Sequence, residues 1–303
     1  MSTLDPMSFF IWDKPRLLVD IRPRNAFVNG SLKDAISIPV DQFKSLNNFF
    51  NHIHTKESGY SLHLIDLHGE IASQLSESTP YIFLEGGYKN FKIWRNSAFE
   101  TGPEVKVLAG LTGSGKTDFL RFLYENGYQV IDLESLAAHK GSAFGRVRNT
   151  NQPRHEYFQN KLLEEWLNLN NEKPVWIEEK GPFLGKVGLP VSLFKKMQNA
   201  TTYHLELPFK ERLDYLIKVY GDFEPSEFKI ALRKLEPRMG TSNNHKALHF
   251  YESGQVRKCF ELLLNYYDKA YAKRRMIGWS GKIVRIIHRH DNLTATLKKI
   301  EKP

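Results

Sequence analysis

Cysteine is nearly absent from this 303-residue chain, which has Cys259 alone. A single thiol builds neither an intrachain disulfide framework nor a multi-cysteine zinc site, and its scarcity agrees with a reducing compartment. Long apolar runs are missing as well. No stretch reaches the roughly eighteen apolar residues that a membrane-spanning helix needs, and the opening MSTLDPMSFFIWDK lacks the basic and apolar regions of a secretion signal. These absences predict a cytoplasmic protein with no membrane association. Internal repeats and low-complexity tracts are absent too. What remains, 41% hydrophobic and 25% charged residues, is the composition of a globular chain long enough for two ordinary domains.

Charge is unevenly spread. Residues 1–100 carry 10 Lys and Arg against 11 Asp and Glu, whereas residues 273–303 carry 9 against 2. Aromatic, histidine and small residues are mixed into that basic end (KRRMIGWSGKIVRIIHRHDN). The composition suits a polyanion partner, and it equally suits a solvated basic tail.

The most informative stretch is Gly110–Thr117, which reads GLTGSGKT. Residues 105–109, apolar apart from Lys106, precede it as a strand, and KTDFLRFLYENG follows it with helical spacing that ends at Gly127. Strand, glycine loop and helix together are the context of a phosphate-binding loop. In such a loop the backbone N–H groups surround a diphosphate, with Gly110, Gly113, Ser114 and Gly115 shaping the cradle. Lys116 reaches the outer phosphate oxygens and the Thr117 hydroxyl can hold Mg²⁺. The expected ligand is a di- or triphosphate, and the loop alone does not distinguish ATP from another diphosphate ester.

Two units and a tail are expected. Residues 1–100 read as a small α/β domain with strands at 17–21, 35–39, 62–67 and 81–84. Residues 101–275 alternate strand and helix, with strands at 105–109, 128–133 and 175–177 and a helix around 157–169. Helices follow at 211–220, 225–235 and 255–275. Alternation of this kind implies a parallel sheet with crossovers. Residues 276–303 are expected as a basic tail.

Carboxylates fall where a nucleotide site needs them. Asp132 ends the strand after the loop helix, and Glu178 ends the next one. Either can hold a metal through water or activate a nucleophile, and either can be an ordinary strand-end charge. Between them HKGSAFGRVRNTNQPRH is rich in glycine and cations and long for an idle connection. Within it His139 and Lys140 can meet a phosphate, although a surface histidine reads the same way. His288 and His290 have a spacing that permits metal binding, with no further ligands evident. Cys259 lies among Phe260, Leu263, Leu264 and Tyr267 at core-facing spacings and reads as a small core residue.

The segments DLESLAAHKGSAFG, FLEGGYKNFK, LRKLEPRMG and YYDKAY, in that family's context, resemble the bacterial tRNA 2-selenouridine synthases. LLVDIRPRNAF and NGSLKDAISIP are weaker marks of that family's rhodanese domain. The resemblance covers most of residues 15–275. It implies a rhodanese domain joined to a phosphate-loop domain and a tRNA anticodon arm as partner. It further implies geranyl transfer from geranyl diphosphate to wobble 2-thiouridine, then exchange of the sulfur substituent for selenium from selenophosphate. Arg146, Arg148 and Arg154 would then contact the diphosphate or the tRNA backbone. One departure matters: in LIDLHGEIASQ, Asp66 stands where the rhodanese nucleophile is a cysteine, with His68 and Gly69 as approximate matches. A carboxylate forms no persulfide or perselenide. The first domain is thus expected to be a degenerate scaffold or a tRNA-docking module, and any selenium transfer to need a sulfur- or selenium-donating partner. VWIEEKGPFLG keeps the first Glu and final Gly of the family segment and loses its Ser and Arg. A nucleotide-dependent kinase or ATPase acting with RNA, and a noncatalytic tRNA-binding protein, are the rival readings.

Overall fold

Short β-branched and aromatic runs fold here as parallel strands, and the amphipathic stretches between them form the crossovers that parallel pairing requires. The structure, a computed structural model, describes residues 2–54, 61–71, 81–139, 151–220, 225–274 and 278–301. The chain runs β1 (Ser2–Leu4), α1 (Pro6–Phe10), β2 (Arg16–Asp20), α2 (Arg24–Asn29), β3 (Ile36–Ser37), α3 (Leu46–His54), β4 (Ser61–Ile65), β5 (Tyr81–Leu84) and α4 (Gly87–Ser97). It continues through β6 (Val105–Gly110), α5 (Lys116–Glu125), β7 (Gln129–Ile131), α6 (Leu133–Leu136), α7 (His155–Leu167), β8 (Val175–Glu178), β9 (Phe183–Leu184), β10 (Val187–Gly188) and α8 (Val191–Asn199). The last elements are β11 (Thr201–Glu206), α9 (Phe209–Tyr220), α10 (Pro225–Met239), α11 (Thr241–Glu252), α12 (Val256–Arg274), β12 (Ile283–Ile287) and α13 (Leu293–Glu301). No helix among the described residues is long and apolar enough to cross a membrane.

Two units result, one of Met1–Thr101, Pro153–Leu167 and Lys186–Leu193, the other of Gly102–Gln152, Asn168–Gly185 and Phe194–Pro303. The first holds a five-stranded sheet in the order β1-β5-β4-β2-β3, every pair parallel. Val19, Phe49, Leu64 and Phe83 are fully buried in its core. Helix α7 falls in this unit, although its sequence neighbours are in the other. Arg95, only 3% exposed, explains why: its guanidinium bonds Glu156 at 3.0 Å and Gln159 at 2.6 Å, and also Asn160. A buried guanidinium needs such partners, and three side chains of one helix provide them.

The second unit is a parallel sheet in the order β12-β11-β6-β8-β7. From central β6 the chain leaves to the β7 edge, returns to β8, and then builds outward on the other side through β11. The order therefore reverses at β6, and the crevice at the carboxyl end of such a strand is where open α/β sheets place ligands. Leu108, Phe119, Leu123, Trp176, Leu205 and Ile286 pack around it. Helices α9 to α12 carry their own core around Phe228, Leu232, Phe260 and Leu264, and Cys259 is buried within it.

The C-terminal segment differs from the expected tail. Strand β12 pairs parallel with β11 from Thr202↔Ile283 to Glu206↔Ile287, and Ile300 of α13 joins the core of the sheet. The apolar residues of Ile283–Ile287 outweigh its basic surroundings, because burying Ile286 and Ile300 removes them from water while the cations stay at the surface.

Candidate functional site

The phosphate loop lies where β6 hands over to α5, at the reversal point of the second sheet. Gly113 and Gly115 have φ of 80° and 74°, the left-handed region that glycine enters without steric cost. The close packing is equally selective: a Cβ at Gly115 would lie 2.7 Å from His290 Nδ1, and one at Gly110 would lie 2.4 Å from Ser114 Oγ. Ser114 is buried, and among the described residues its hydroxyl has no hydrogen-bond partner. An unsatisfied hydroxyl inside a glycine cradle, beside the helix-start N–H groups that no helix can satisfy internally, fits an anionic ligand.

Lys116 is half-enclosed at the loop, where its Nζ donates to Gly110 O at 2.7 Å and to Leu111 O at 3.4 Å. Its nearest carboxylate is Glu178 at 3.9 Å, while Lys180 bonds Glu178 at 2.9 Å and Glu134 at 2.5 Å. The four groups form an alternating chain of charges leading away from the loop. Burial pulls the Lys116 ammonium below the ordinary lysine value; Glu178 opposes this and Lys180 adds to it. Burial also pulls on Lys180, but the two carboxylates outweigh it and hold that ammonium above its ordinary value. Lys116 is thus the cation whose charge is least compensated, and a polyphosphate would complete its coordination.

The predicted carboxylates have different tasks. Asp132 is the N-cap of α6, its Oδ1 accepting from Ser135 N at 2.9 Å. Glu178 is held by Lys180. Among the described residues no group of three or more His, Cys, Asp or Glu side chains could hold a metal. The donor set therefore fits Mg²⁺ only in the form in which phosphate and water supply most ligands, with the exposed Thr117 hydroxyl beside them. His139 bonds Glu134 O through its backbone and packs on Gly185. Arg154 belongs to the first unit, where it donates to Asn29 at 2.7 Å. Lys140, Arg146 and Arg148 lie outside the described residues.

Sequence reading missed Lys180, Arg212 and Tyr215, and singled out His290 only for a metal-binding spacing with His288. Arg212 and Tyr215 share a face of α9 that abuts the loop, and His290 follows β12. An arginine placed in the apolar stripe with Phe209, Leu213 and Leu216 is the signal that marks such a helix face.

In the first unit Asp66 sits at the end of β4, 3% exposed. Its Oδ1 accepts from Gly69 N at 2.9 Å and its Oδ2 from Ile71 N at 3.1 Å, while a Cβ on Gly87 would come within 2.6 Å of it. The carboxylate thus fills the turn that follows it, and backbone amides there are already engaged. We expect Asp66→Ala to cost about 1–3 kcal/mol by leaving buried N–H groups unpaired. A thermal scan would show the loss, with pyrophosphate binding unchanged.

Residues 103–249 match the family described as the tRNA 2-selenouridine synthase AAA domain. A tRNA 2-selenouridine synthase of Shewanella woodyi is 34% identical over 165 residues, covering 50% of this chain and 43% of that protein. One from Nitrosomonas europaea is 28% identical over 257 residues, covering 71% and 66%. Neither match reaches two thirds of the relative's own length. Among solved structures, TT1252 from Thermus thermophilus is similar at a TM-score of 0.35 and 16% identity, over 67% of this chain and 98% of that one.

Proposed function

Because residues 103–249 belong to the tRNA 2-selenouridine synthase AAA-domain family, we propose that this chain is a tRNA-modifying transferase acting on wobble 2-thiouridine. Its phosphate loop would grip the diphosphate of geranyl diphosphate. The observation that carries this reading is the complete loop, with Gly113 and Gly115 left-handed, Ser114 Oγ unsatisfied and Lys116 set against the Gly110 carbonyl.

The chemistry follows from those residues. The tRNA sulfur attacks the geranyl C1 as the C–O bond to diphosphate breaks. The electron pair departs with the diphosphate and the base loses its N3 proton. The protein needs no nucleophile of its own; it must align two substrates and stabilise developing negative charge on the leaving group. The loop amides and Lys116 do that, and Thr117 would hold a Mg²⁺ that supplies further charge neutralisation. Glu178, close to Lys116 and Lys180, keeps both ammonium groups in place.

Selenium exchange fits this chain less well. Asp66 offers no thiolate, and Cys259, fully buried, has its thiol pushed up by burial to about 12. Selenium from selenophosphate would reach the tRNA through a partner that supplies the missing thiol.

Mass spectrometry of wobble nucleosides from cells with and without the chain tests the reading. Loss of S-geranyl-2-thiouridine on deletion is expected, together with saturable binding of geranyl diphosphate by the purified protein. Unchanged nucleosides combined with RNA-stimulated ATP hydrolysis would replace this reading with that of an ATPase.

A further inference from the structure

A phosphate loop works by aiming amides, and a peptide plane fixes the amide of one residue opposite the carbonyl of the residue before it. The carbonyls of this loop are therefore as informative as its N–H groups, and the four from Gly110 to Gly113 all have partners. Gly110 O is taken by Lys116 Nζ, and Leu111 O by Ser114 N at 3.1 Å. These two are internal to the loop. The next two are held from outside: Thr112 O by Arg212 NH1 at 3.0 Å and Gly113 O by His290 Nε2 at 3.1 Å.

Both outside groups are themselves fixed. Arg212, 4% exposed, makes a two-pronged pair with Asp268 of α12 at 2.9 and 2.7 Å. His290 stacks on Tyr215 with ring centres 4.1 Å apart and planes 7° from parallel. Tyr215 in turn donates to Asp118 Oδ2, in the first turn of α5, at 2.5 Å. A carbonyl only accepts, so His290 carries its proton on Nε2. Beneath it His288 is buried, with its Nδ1 2.8 Å from Thr296 Oγ1 of α13. The backbone of Arg212 touches the loop as well: a Cβ on Gly113 would lie 2.9 Å from Arg212 O.

We propose that Arg212 and His290 are positioning residues that hold the outward carbonyls of Thr112 and Gly113 and thereby preset the loop for a diphosphate. This makes the C-terminal segment 283–301, which lies beyond the family match, an integral part of the ligand site. The proposal rests on the reading of the loop as a diphosphate site and adds the groups that keep it in shape before the ligand arrives.

Inorganic pyrophosphate, titrated by calorimetry into the full chain, is the probe. His290→Phe keeps the ring on Tyr215 and removes the donor; His290→Gln removes the ring and keeps a donor at the same reach. We expect His290→Phe to bind about tenfold more weakly, the worth of one hydrogen bond, with a melting temperature lower by no more than about a few degrees. His290→Gln should stay within about twofold of the unaltered chain. Equal binding by His290→Phe, or equal weakening by both variants, overturns the clamp while leaving the diphosphate site standing. If the unaltered chain binds no pyrophosphate, the diphosphate reading falls and the clamp falls with it. Hydrogen exchange of the ligand-free, unaltered chain is an arm independent of variant folding: slow exchange of the Ser114 amide, which donates to Leu111 O at 3.1 Å, is expected, and exchange of that amide at the unstructured-chain rate overturns the preset loop.

Discussion

Lys116→Ala is expected to lower turnover on the order of a hundredfold and to weaken pyrophosphate binding in parallel, while the melting temperature of the chain stays nearly unchanged. The separation of the two effects follows from the charge chain. Lys116 stands 3.9 Å from Glu178, but Glu178 also has Lys180 at 2.9 Å, so removing the first ammonium leaves no carboxylate stranded. What disappears is a cation whose other contacts are two main-chain carbonyls, Gly110 and Leu111, which border the cradle. In the transition state of the proposed reaction that ammonium would meet charge growing on the leaving diphosphate, within a site where low dielectric magnifies the interaction. Lys180→Ala would behave in the opposite way. It strips from both Glu134 and Glu178 the ammonium that lies 2.5 and 2.9 Å away, and the weaker compensation of these half-buried charges would lower stability before affecting binding. Parallel calorimetry and thermal scans on the two variants make the comparison. A Lys116→Ala protein that turns over and binds pyrophosphate like the unaltered chain removes the ammonium from the mechanism.

The contrast between these two lysines also marks what the sequence makes legible. Lys116 can be read because its role is encoded locally: an apolar strand, a glycine-spaced loop and a helix start determine its surroundings within about a dozen residues. Lys180 cannot, because its partners Glu134 and Glu178 come together only when β8 pairs beside β6 and α6 packs at the sheet end. Asp132 shows a local signal that carries two readings. A carboxylate at a strand end reads as a metal ligand, yet Asp132 followed three residues later by Ser135 is equally the start signal of a helix, and the structure uses it as that cap. Strand β11 was hidden because Thr202 and His204 are polar residues that the sheet nevertheless buries, which blurs both period and hydrophobicity. Strand β12 carries a clear apolar pattern, but it is embedded in cations, and composition over thirty residues masked a five-residue strand. His290 was therefore read only for its spacing from His288, although its ring reaches the loop 177 positions earlier.

Gly113→Ala is expected to weaken pyrophosphate binding on the order of a hundredfold, an effect that Gly127→Ala will not share. The two glycines have almost the same backbone, with φ of 80° and 81°, so alanine brings the same left-handed strain to each. Their surroundings differ. Among the described residues nothing lies within 4 Å of a Cβ on Gly127, whereas one on Gly113 would be 2.9 Å from Arg212 O and 3.2 Å from both Arg212 Cβ and Leu216 Cγ. The first of those is main chain, and relief requires the loop and α9 to part. Parting them lengthens the Arg212 bond to Thr112 O and the His290 bond to Gly113 O together, so the loop amides lose their aim; misplacement by about 1 Å is enough for losses of this size. Gly127→Ala should lower the melting temperature by a few degrees, near the cost of one left-handed alanine, and leave pyrophosphate affinity untouched. Calorimetric titration of the two variants side by side separates backbone strain from loop displacement. Equal affinities would mean that contact between α9 and the loop is packing alone, and that the phosphate cradle holds its shape without it.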